Sequence, residues 1–185
     1  ESAGAVAHHY IIDNNGNKTT TELFKDDVVN GKIDTPFSFN PKSEGLGDYE
    51  FVESDGTTSG TLSSTRQEAV FYYQLKMTDV TIRYVTIKDG NVIDLINPVK
   101  DTGRINDNYT ANAKDETDNK VFANYNLDSA KEQTIKLKNS DNTITFIYSL
   151  KDAKIIVHYV EKGTNKTLAP DSEFNGKVTE RFNIS

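Results

Sequence analysis

The chain has 185 residues, no cysteine and a net charge of −7, with a pI near 5.0. The absence of cysteine excludes disulfides, thiol catalysis and zinc–thiolate sites. The acidic balance argues against nucleic acids and anionic membrane surfaces, because both are bound mainly through Lys and Arg. No apolar run approaches the roughly 18–20 residues of a transmembrane helix, so we expect no membrane insertion by this chain. Recognition of a partner must rest on hydrogen bonds, stacking or shape.

The first part of the chain predicts a small β-rich unit. Its opening strand, VAHHYII, leads into a hairpin turn at DNNGN, residues 13–17. Further strands are predicted at 49–53 and 69–75. Pro36 and Pro41 leave room only for a brief helix near residues 41–46.

The same order of elements returns in the second part. The strand VTIRYVTIK is followed by a turn at DGN, residues 89–91, and a second strand. Further strands are predicted at 122–126, 134–138 and 143–150, and short polar helices at 111–119 and 129–133. A third hairpin is predicted at 154–185.

Three copies of one pattern are therefore present. Tyrosines at Tyr10, Tyr84 and Tyr159 are separated by 74 and 75 residues. Each copy later has a glycine, a basic residue directly after it and an aromatic six positions beyond the glycine. The glycines are Gly31, Gly103 and Gly176, and the aromatics are Phe37, Tyr109 and Phe182. Such a period is longer than in common solenoids, so each unit is predicted to be a small domain.

These patterns predict a mainly β (α+β) fold: tandem β-grasp-like or ubiquitin-like modules with long hairpins and one short helix each. The first module is predicted at 1–78 and the second at 79–185. The second is enlarged by the hairpin 154–185, because about 30 residues rarely bury a stable core alone. The alternative, that 154–185 begins a third module, stays open. The joint at 77–79 lacks the Gly and Ser of a flexible linker, which predicts an elongated, semi-rigid rod.

The third copy, IIVHYVEKGTNKTLAPDSEFNGKVTERF, resembles the mucin-binding protein (MucBP) repeat of cell-wall surface proteins from lactobacilli, listeriae and related Gram-positive bacteria. VTIRYVTIKDGNVIDLI matches nearly as well, whereas the first copy departs at His8, where the repeat has an aliphatic residue. In length and two-part build, the chain is similar to one repeat of a Lactobacillus mucus-binding protein. The resemblance implies an extracellular location on the bacterial cell wall, within a larger secreted and anchored protein. It also implies a surface adhesin that binds mucus glycoproteins.

Candidate binding residues are sought where the copies differ. His9, Arg83 and His158 are predicted at equivalent outward strand positions. Neighbouring strand residues face opposite sides, so Tyr72 and Tyr73 must point in opposite directions. Tyr73 aligns with Tyr148, which predicts Tyr73 in the core and Tyr72 outside. Tyrosine rings can stack on sugars, which adds the outward Tyr72 to these positions. The candidate ligand contacts are therefore His9, Tyr72, Arg83 and His158. For each of them, a purely structural role is the simpler alternative.

Nothing in the chain predicts an enzyme. Three histidines without cysteine support neither a nucleophile–base pair nor a transition-metal site. No cofactor is required, although acidic clusters at 101–108 and 115–118 keep a structural Ca²⁺ as an alternative. The predicted function is weak binding of mucin glycans, strengthened by avidity in arrays. The alternatives are binding of host immunoglobulin through an exposed strand edge and a passive spacer.

Overall fold

The computed structural model describes residues 2–183, which form fifteen β-strands and one five-residue 3-10 helix. The mainly β prediction is confirmed. The strands of the first copy are β1 Ser2–Ile12, β2 Lys18–Lys32, β3 Pro36–Ser38, β4 Tyr49–Gly56, β5 Ser59–Thr61 and β6 Gln67–Leu75. Those of the second are β7 Met77–Lys88, β8 Asn91–Asp94, β9 Val99–Arg104, β10 Asn108–Asn112, β11 Tyr125–Leu127, β12 Glu132–Lys136 and β13 Asn142–Leu150. The third copy has β14 Asp152–Val160 and β15 Thr167–Lys177.

The first copy is built on a four-stranded mixed sheet with the order β2-β1-β6-β4. Its two central strands, β1 and β6, run parallel, whereas β2 and β4 pair antiparallel on the outside. Strands β3 and β5 form a separate short pair. In a β-grasp-like module, the first and last strands are expected to lie parallel at the centre of the sheet, as β1 and β6 do here.

The second copy repeats this strand order. Its sheet runs β11-β13-β7-β8, with β9 also pairing with β7, and β10 and β12 form a separate pair. The third copy consists of the hairpin β14–β15, which forms a two-stranded sheet of its own. The proposed assignment of this hairpin to a second module at 79–185 stays a prediction.

The core of the first copy lies on one face of its sheet. Small side chains from β1 leave room for large rings from β6 and from the β3 region. The buried members are Ala3, Ala5, Ala7, Phe37, Phe39, Leu62, Ala69, Phe71 and Tyr73.

The core of the second copy is a cluster of aromatic rings. Tyr84 stacks on Phe146 with ring centroids 5.5 Å apart, and Phe122 meets the edge of Tyr84 at 6.0 Å. Tyr148 packs on Phe122 at 4.9 Å, and its hydroxyl donates to the carbonyl of Lys114. Aromatic pairs in such geometries add to the stabilisation that burial alone provides.

The predicted α-helices are wrong. Residues 41–46, 111–119 and 129–133 contain no helix, and the 3-10 helix Lys120–Asn124 is the sole helical element of the described residues. Asn119 caps its first turn by accepting from the amide of Val121 at 3.0 Å. In the predicted helix before it, the Asp115 carboxylate accepts from the amide of Thr117 and holds a turn instead. Short polar side chains of this kind compete with helix formation.

No helix of the described chain is long and apolar enough to cross a membrane.

Contacts divide the described chain into two compact units. The first contains residues 2–80, 101–109 and 135–142, and the second contains 81–100, 110–134 and 143–183. The segments 101–109 and 135–142 of the first unit form hydrogen bonds with its first hairpin turn and with the residues that follow β6. Asn14 Nδ2 donates to the Ile105 carbonyl at 3.0 Å, and the Ile105 amide donates to the Lys76 carbonyl at 3.0 Å. Asn142 Nδ2 donates to Thr78 Oγ1 at 3.1 Å. The joint at 77–79 is therefore held by side chains from later in the sequence.

Two of the three glycines shared by the copies, Gly31 and Gly103, leave space for a leucine. Gly31 and Gly103 lie within strands, and neither has a positive φ. A Cβ on Gly31 would meet Leu62 Cδ1 at 3.2 Å, and a Cβ on Gly103 would clash with Leu137 Cδ1. Both leucines are almost fully buried, so neither can move aside easily. Close packing, and not turn geometry, explains why the pattern needs glycine here.

We predict that Gly103→Ala lowers the free energy of unfolding by about 1–3 kcal/mol, as overpacking of a filled core does. Chemical denaturation measures the change. Gly4→Ala is the matched control, because its Cβ meets the exposed Asn30 side chain, which can rotate away. Equal stability of the two variants would contradict this account of Gly103.

Candidate functional site

His9 is fully buried, so its predicted outward position is wrong. Its ring stacks on Phe71 with centroids 5.4 Å apart, and its Nδ1 lies 2.9 Å from the Tyr73 hydroxyl. Tyr84 holds the corresponding place in the second copy, where it stacks on Phe146. His9, Tyr84 and Tyr159 are each 75 residues apart. Aligning Tyr10 with Tyr84 shifts the first strand by one residue, and a one-residue shift exchanges the two faces of a strand.

The buried imidazole is fully bonded. A carboxylate can only accept, so His9 Nε2–H donates to Asp27, 3.0 Å away, and Nδ1 accepts from Tyr73. The Tyr73 hydroxyl in turn accepts from the Lys42 amide at 2.7 Å. Lys42 Nζ donates to both Asp27 oxygens at 2.8 Å. This network gives His9 a structural role in the first core.

In every copy, the residue directly before His9, Tyr84 or Tyr159 lies on the outward face of the strand and is basic. Arg83 and His158 lie there as predicted, and their counterpart in the first copy is His8. Each binds an aspartate across the hairpin, at 2.8 or 2.9 Å. The pairs are His8–Asp26, Arg83–Asp94 and His158–Asp171. The Arg83 pair uses two nitrogens, Nε and Nη2, and this hydrogen bonding holds the pKa of Asp94 below its usual value.

The first and third copies share a β-bulge at this point. Two residues instead of one lie opposite the outward histidine in both hairpins, and the bound aspartate is one of the two. The flanking pairs are Ala7 with Asp27 and His9 with Phe24 in the first copy, and Val157 with Ser172 and Tyr159 with Ala169 in the third. A bulge can redirect a side chain, and here it presents an aspartate to the histidine.

Tyr73 is fully buried and Tyr72 lies on the opposite, outward face, as predicted. Tyr72 pairs with Tyr10 across the parallel strands β6 and β1. Tyr10 pairs with Glu22 on β2, and Tyr72 pairs with Glu53 on β4. We call this line of four side chains the tyrosine row: Glu22, Tyr10, Tyr72 and Glu53. It crosses all four strands, a distance of about 14 Å at ordinary strand spacing.

Two further side chains complete the surface around the row. The His8 ring stacks on Tyr10 with centroids 5.1 Å apart and planes 11° from parallel. Lys18 Nζ lies 4.8 Å from the centre of the Tyr72 ring and binds Asp55 at 2.8 Å and Glu53 at 3.4 Å. The result is a half-exposed aromatic surface with a charged rim.

Carboxylates dominate the electrostatics of this surface. The pKa of Tyr10 is raised, first by burial and then by the negative charges of Asp26, Glu22 and Glu68. The hydrogen bond to Asp55 raises the pKa of Lys18 and keeps its ammonium group charged. Two basic side chains touch the row, Lys18 and His8, and each is bound to a carboxylate.

The sequence did contain a signal for Tyr10. The closing strands align with a spacing of 75, which places Tyr73 on Tyr148. Applying that spacing to the opening strand puts His9 in the core and Tyr10 outside. The 74-residue spacing from Tyr10 to Tyr84 hides this signal, because it places Tyr10 and not His9 on Tyr84.

Within residues 2–183, no group of three or more His, Asp or Glu side chains could hold a metal ion. The acidic loops that suggested Ca²⁺ use their oxygens elsewhere. Asp107 accepts from Asn14 at 2.6 Å, and Asp101 accepts from the hydroxyl of Tyr109. The Asp115 carboxylate accepts from Thr117.

The MucBP domain family matches residues 5–74, 79–149 and 154–185. These matches cover most of the sequence, so the chain belongs to the MucBP domain family. The three matched segments correspond to the three copies found in the sequence. The family consists of adhesin-type repeat domains and is not an enzyme family.

Two curated relatives are both called Internalin J. The protein of Listeria monocytogenes serotype 4b (strain F2365) is 28% identical over 187 residues, covering 97% of this chain and 19% of the relative. That of serovar 1/2a (strain ATCC BAA-679 / EGD-e) is 27% identical over 141 residues, covering 74% of this chain and 15% of the relative. The chain thus spans less than a fifth of either relative.

Among solved structures, the chain is similar to Mub-RV, at 11% identity and a TM-score of 0.31, covering 80% of this chain and 99% of that one. The type 2 repeat of the mucus binding protein MUB from Lactobacillus reuteri has 14% identity and a TM-score of 0.26, covering 79% and 99% of the two chains.

Asp27 gives the first core a defined pH dependence. Burial alone would raise its pKa, but the hydrogen bonds from Lys42 and His9 outweigh that effect and hold the pKa below its usual value. The stabilisation is therefore present above the unfolded pKa, near 4, and is lost as pH falls through the lower folded value. We predict that Asp27→Asn lowers the stability at pH 7 by about 1 kcal/mol, because solvent screens part of the interactions of a carboxylate that is 37% exposed. The difference should shrink at pH 3.

Urea denaturation at the two pH values measures this effect. Asp34→Asn, in an exposed turn where Asn tolerates the positive φ, is the control and should show little change at either pH. A difference for Asp27→Asn that is the same at pH 7 and pH 3 would show that its charge does not stabilise the fold.

Proposed function

We propose that this chain is a repeat segment of a bacterial cell-surface adhesin and that it binds glycans of host mucus glycoproteins. The tyrosine row is the proposed contact surface. The observation that carries this proposal is the side-by-side placement of Tyr10 and Tyr72 on the outward sheet face, between two carboxylates. Membership of the MucBP family supports it at the level of the whole protein.

The row has the chemistry that sugar binding needs. The faces of aromatic rings accept the apolar C–H faces of pyranoses, and the polar tips remain available for hydrogen bonds. Ionised carboxylates accept hydrogen bonds from sugar hydroxyls, and the ammonium group of Lys18 can donate to them. The surface is shallow, so each contact is expected to be weak, and several repeats in one protein would strengthen attachment by avidity.

A second candidate is binding of a host protein, such as immunoglobulin, by strand addition. One observation favours it: β2 is a 15-residue strand at the edge of the first sheet. Two features oppose it, because β2 contains register shifts and the charged residues Lys25, Asp26 and Asp27, which are typical means of protecting an edge.

We predict that replacing both Tyr10 and Tyr72 with Ala weakens retention on immobilised mucin about tenfold, because two stacking contacts of roughly 0.7 kcal/mol each are lost. Periodate oxidation of the mucin sugars should abolish retention of the unaltered chain. The paired Tyr→Phe variant retains the rings and should bind nearly as well as the unaltered chain. Tyr125→Ala, outside the row, is the control.

Three results would contradict the proposal. Unchanged retention after periodate treatment would exclude glycan recognition. Retention by the double Ala variant equal to that of the Tyr125→Ala control would place the contact elsewhere. Capture of immunoglobulin together with no retention on mucin would favour strand addition, and binding in neither assay would leave a spacer.

A further inference from the structure

We infer that the tyrosine row selects uncharged pyranoses and discriminates against sialylated or sulfated sugars, and that each chain of this length carries one such site. The inference rests on the proposed glycan binding.

The surface around the row is negatively charged. Glu22 and Glu53 stand at its two ends, Asp26 and Glu68 act on Tyr10, and Asp55 binds the Lys18 ammonium group that lies over Tyr72. The negative charges of Glu22, Asp26 and Glu68 act directly on the Tyr10 hydroxyl. An anionic sugar placed on Tyr10 would meet these charges at short range, where repulsion is strongest.

The basic side chains that touch the row are already bound to carboxylates. Recognition of a carboxylate or sulfate usually needs Arg, Lys or converging N–H donors. Lys18 is held between Asp55 and Glu53, and His8 is bound to Asp26. An anion could bind Lys18 or His8 only by displacing a carboxylate that is already bound to it.

The carboxylates at the two ends of the row can accept hydrogen bonds from neutral sugars. Ionised carboxylates have no proton to donate, so they select ligands that present O–H or N–H groups. Hydroxyls project around the rim of a pyranose, and amide N–H groups are present in acetamido sugars. A ring that stacks on Tyr10 and Tyr72 would present these donors toward Glu22 and Glu53.

The copies differ at the positions that form the row. With the 75-residue spacing, Val85 replaces Tyr10 and Ile147 replaces Tyr72 in the second copy, and Val160 replaces Tyr10 in the third. Val85 is almost fully buried and offers no ring to a ligand. The first copy alone therefore supplies the paired tyrosines.

The test is titration of the full 185-residue chain with three soluble probes: N-acetyllactosamine, its sialylated form and its sulfated form. At low ionic strength the neutral probe is expected to bind about fivefold more tightly than either anionic probe, which is the effect of one close unit-charge repulsion in water. The gap should narrow in about 0.5 M salt, since exposed charges are screened. The neutral probe should saturate at one molecule per chain.

Glu68→Gln removes one of the charges beside Tyr10 and should reduce the ratio between neutral and anionic probes. Glu116→Gln, in a loop outside the first sheet, is the matched control and should leave the ratio unchanged. Tighter binding of an anionic probe, a ratio that is insensitive to salt and to Glu68→Gln, or two bound molecules per chain would overturn the inference. Each of these results would leave glycan binding itself in place. No binding of any probe, together with no retention on mucin, would overturn the proposed function as well.

Discussion

The parallel pairing of β1 with β6 is the interaction on which the first copy depends. Its register places His9 beside Phe71 and Tyr10 beside Tyr72. Because side chains alternate along both strands, this single register buries one set of rings and presents the other to solvent. A slip of one residue would expose His9 and bury Tyr10. The core and the candidate binding surface are therefore two consequences of one strand pairing.

The histidine in the first core shows how a copy can diverge without losing the fold. The second copy fills the same place with Tyr84, which needs only ring contacts and a hydroxyl partner. In the first copy His9 needs an acceptor and a donor, which Asp27 and Tyr73 supply, and Lys42 neutralises the carboxylate. A buried polar group is stable only with such partners. The histidine in the first core is therefore accompanied by a network that the tyrosine in the second core does not need.

Much of this could be predicted from the sequence. Hairpin turns, strand alternation and the repeated spacing predicted the mainly β repeats. Alternation together with the alignment of Tyr73 on Tyr148 placed Tyr73 inside and Tyr72 outside. The predicted helices failed because Asp and Asn side chains stabilised turns locally, as at Asp115. The error at His9 arose from an alignment one residue out of step. The tyrosine row could not be found from local patterns, because its four members come from four strands and are brought together only by the register of three strand pairs.

The claim that connects fold and function is that a sugar lies on the outward face of the first sheet. Its most direct test is nuclear magnetic resonance of the isotope-labelled chain during titration with soluble mucin oligosaccharides. The account predicts that the ring signals of His8, Tyr10 and Tyr72 shift first and saturate together, whereas the buried ring of Tyr73 changes little. Shifts confined to backbone amides along β2, or to residues of the second compact unit, would contradict it.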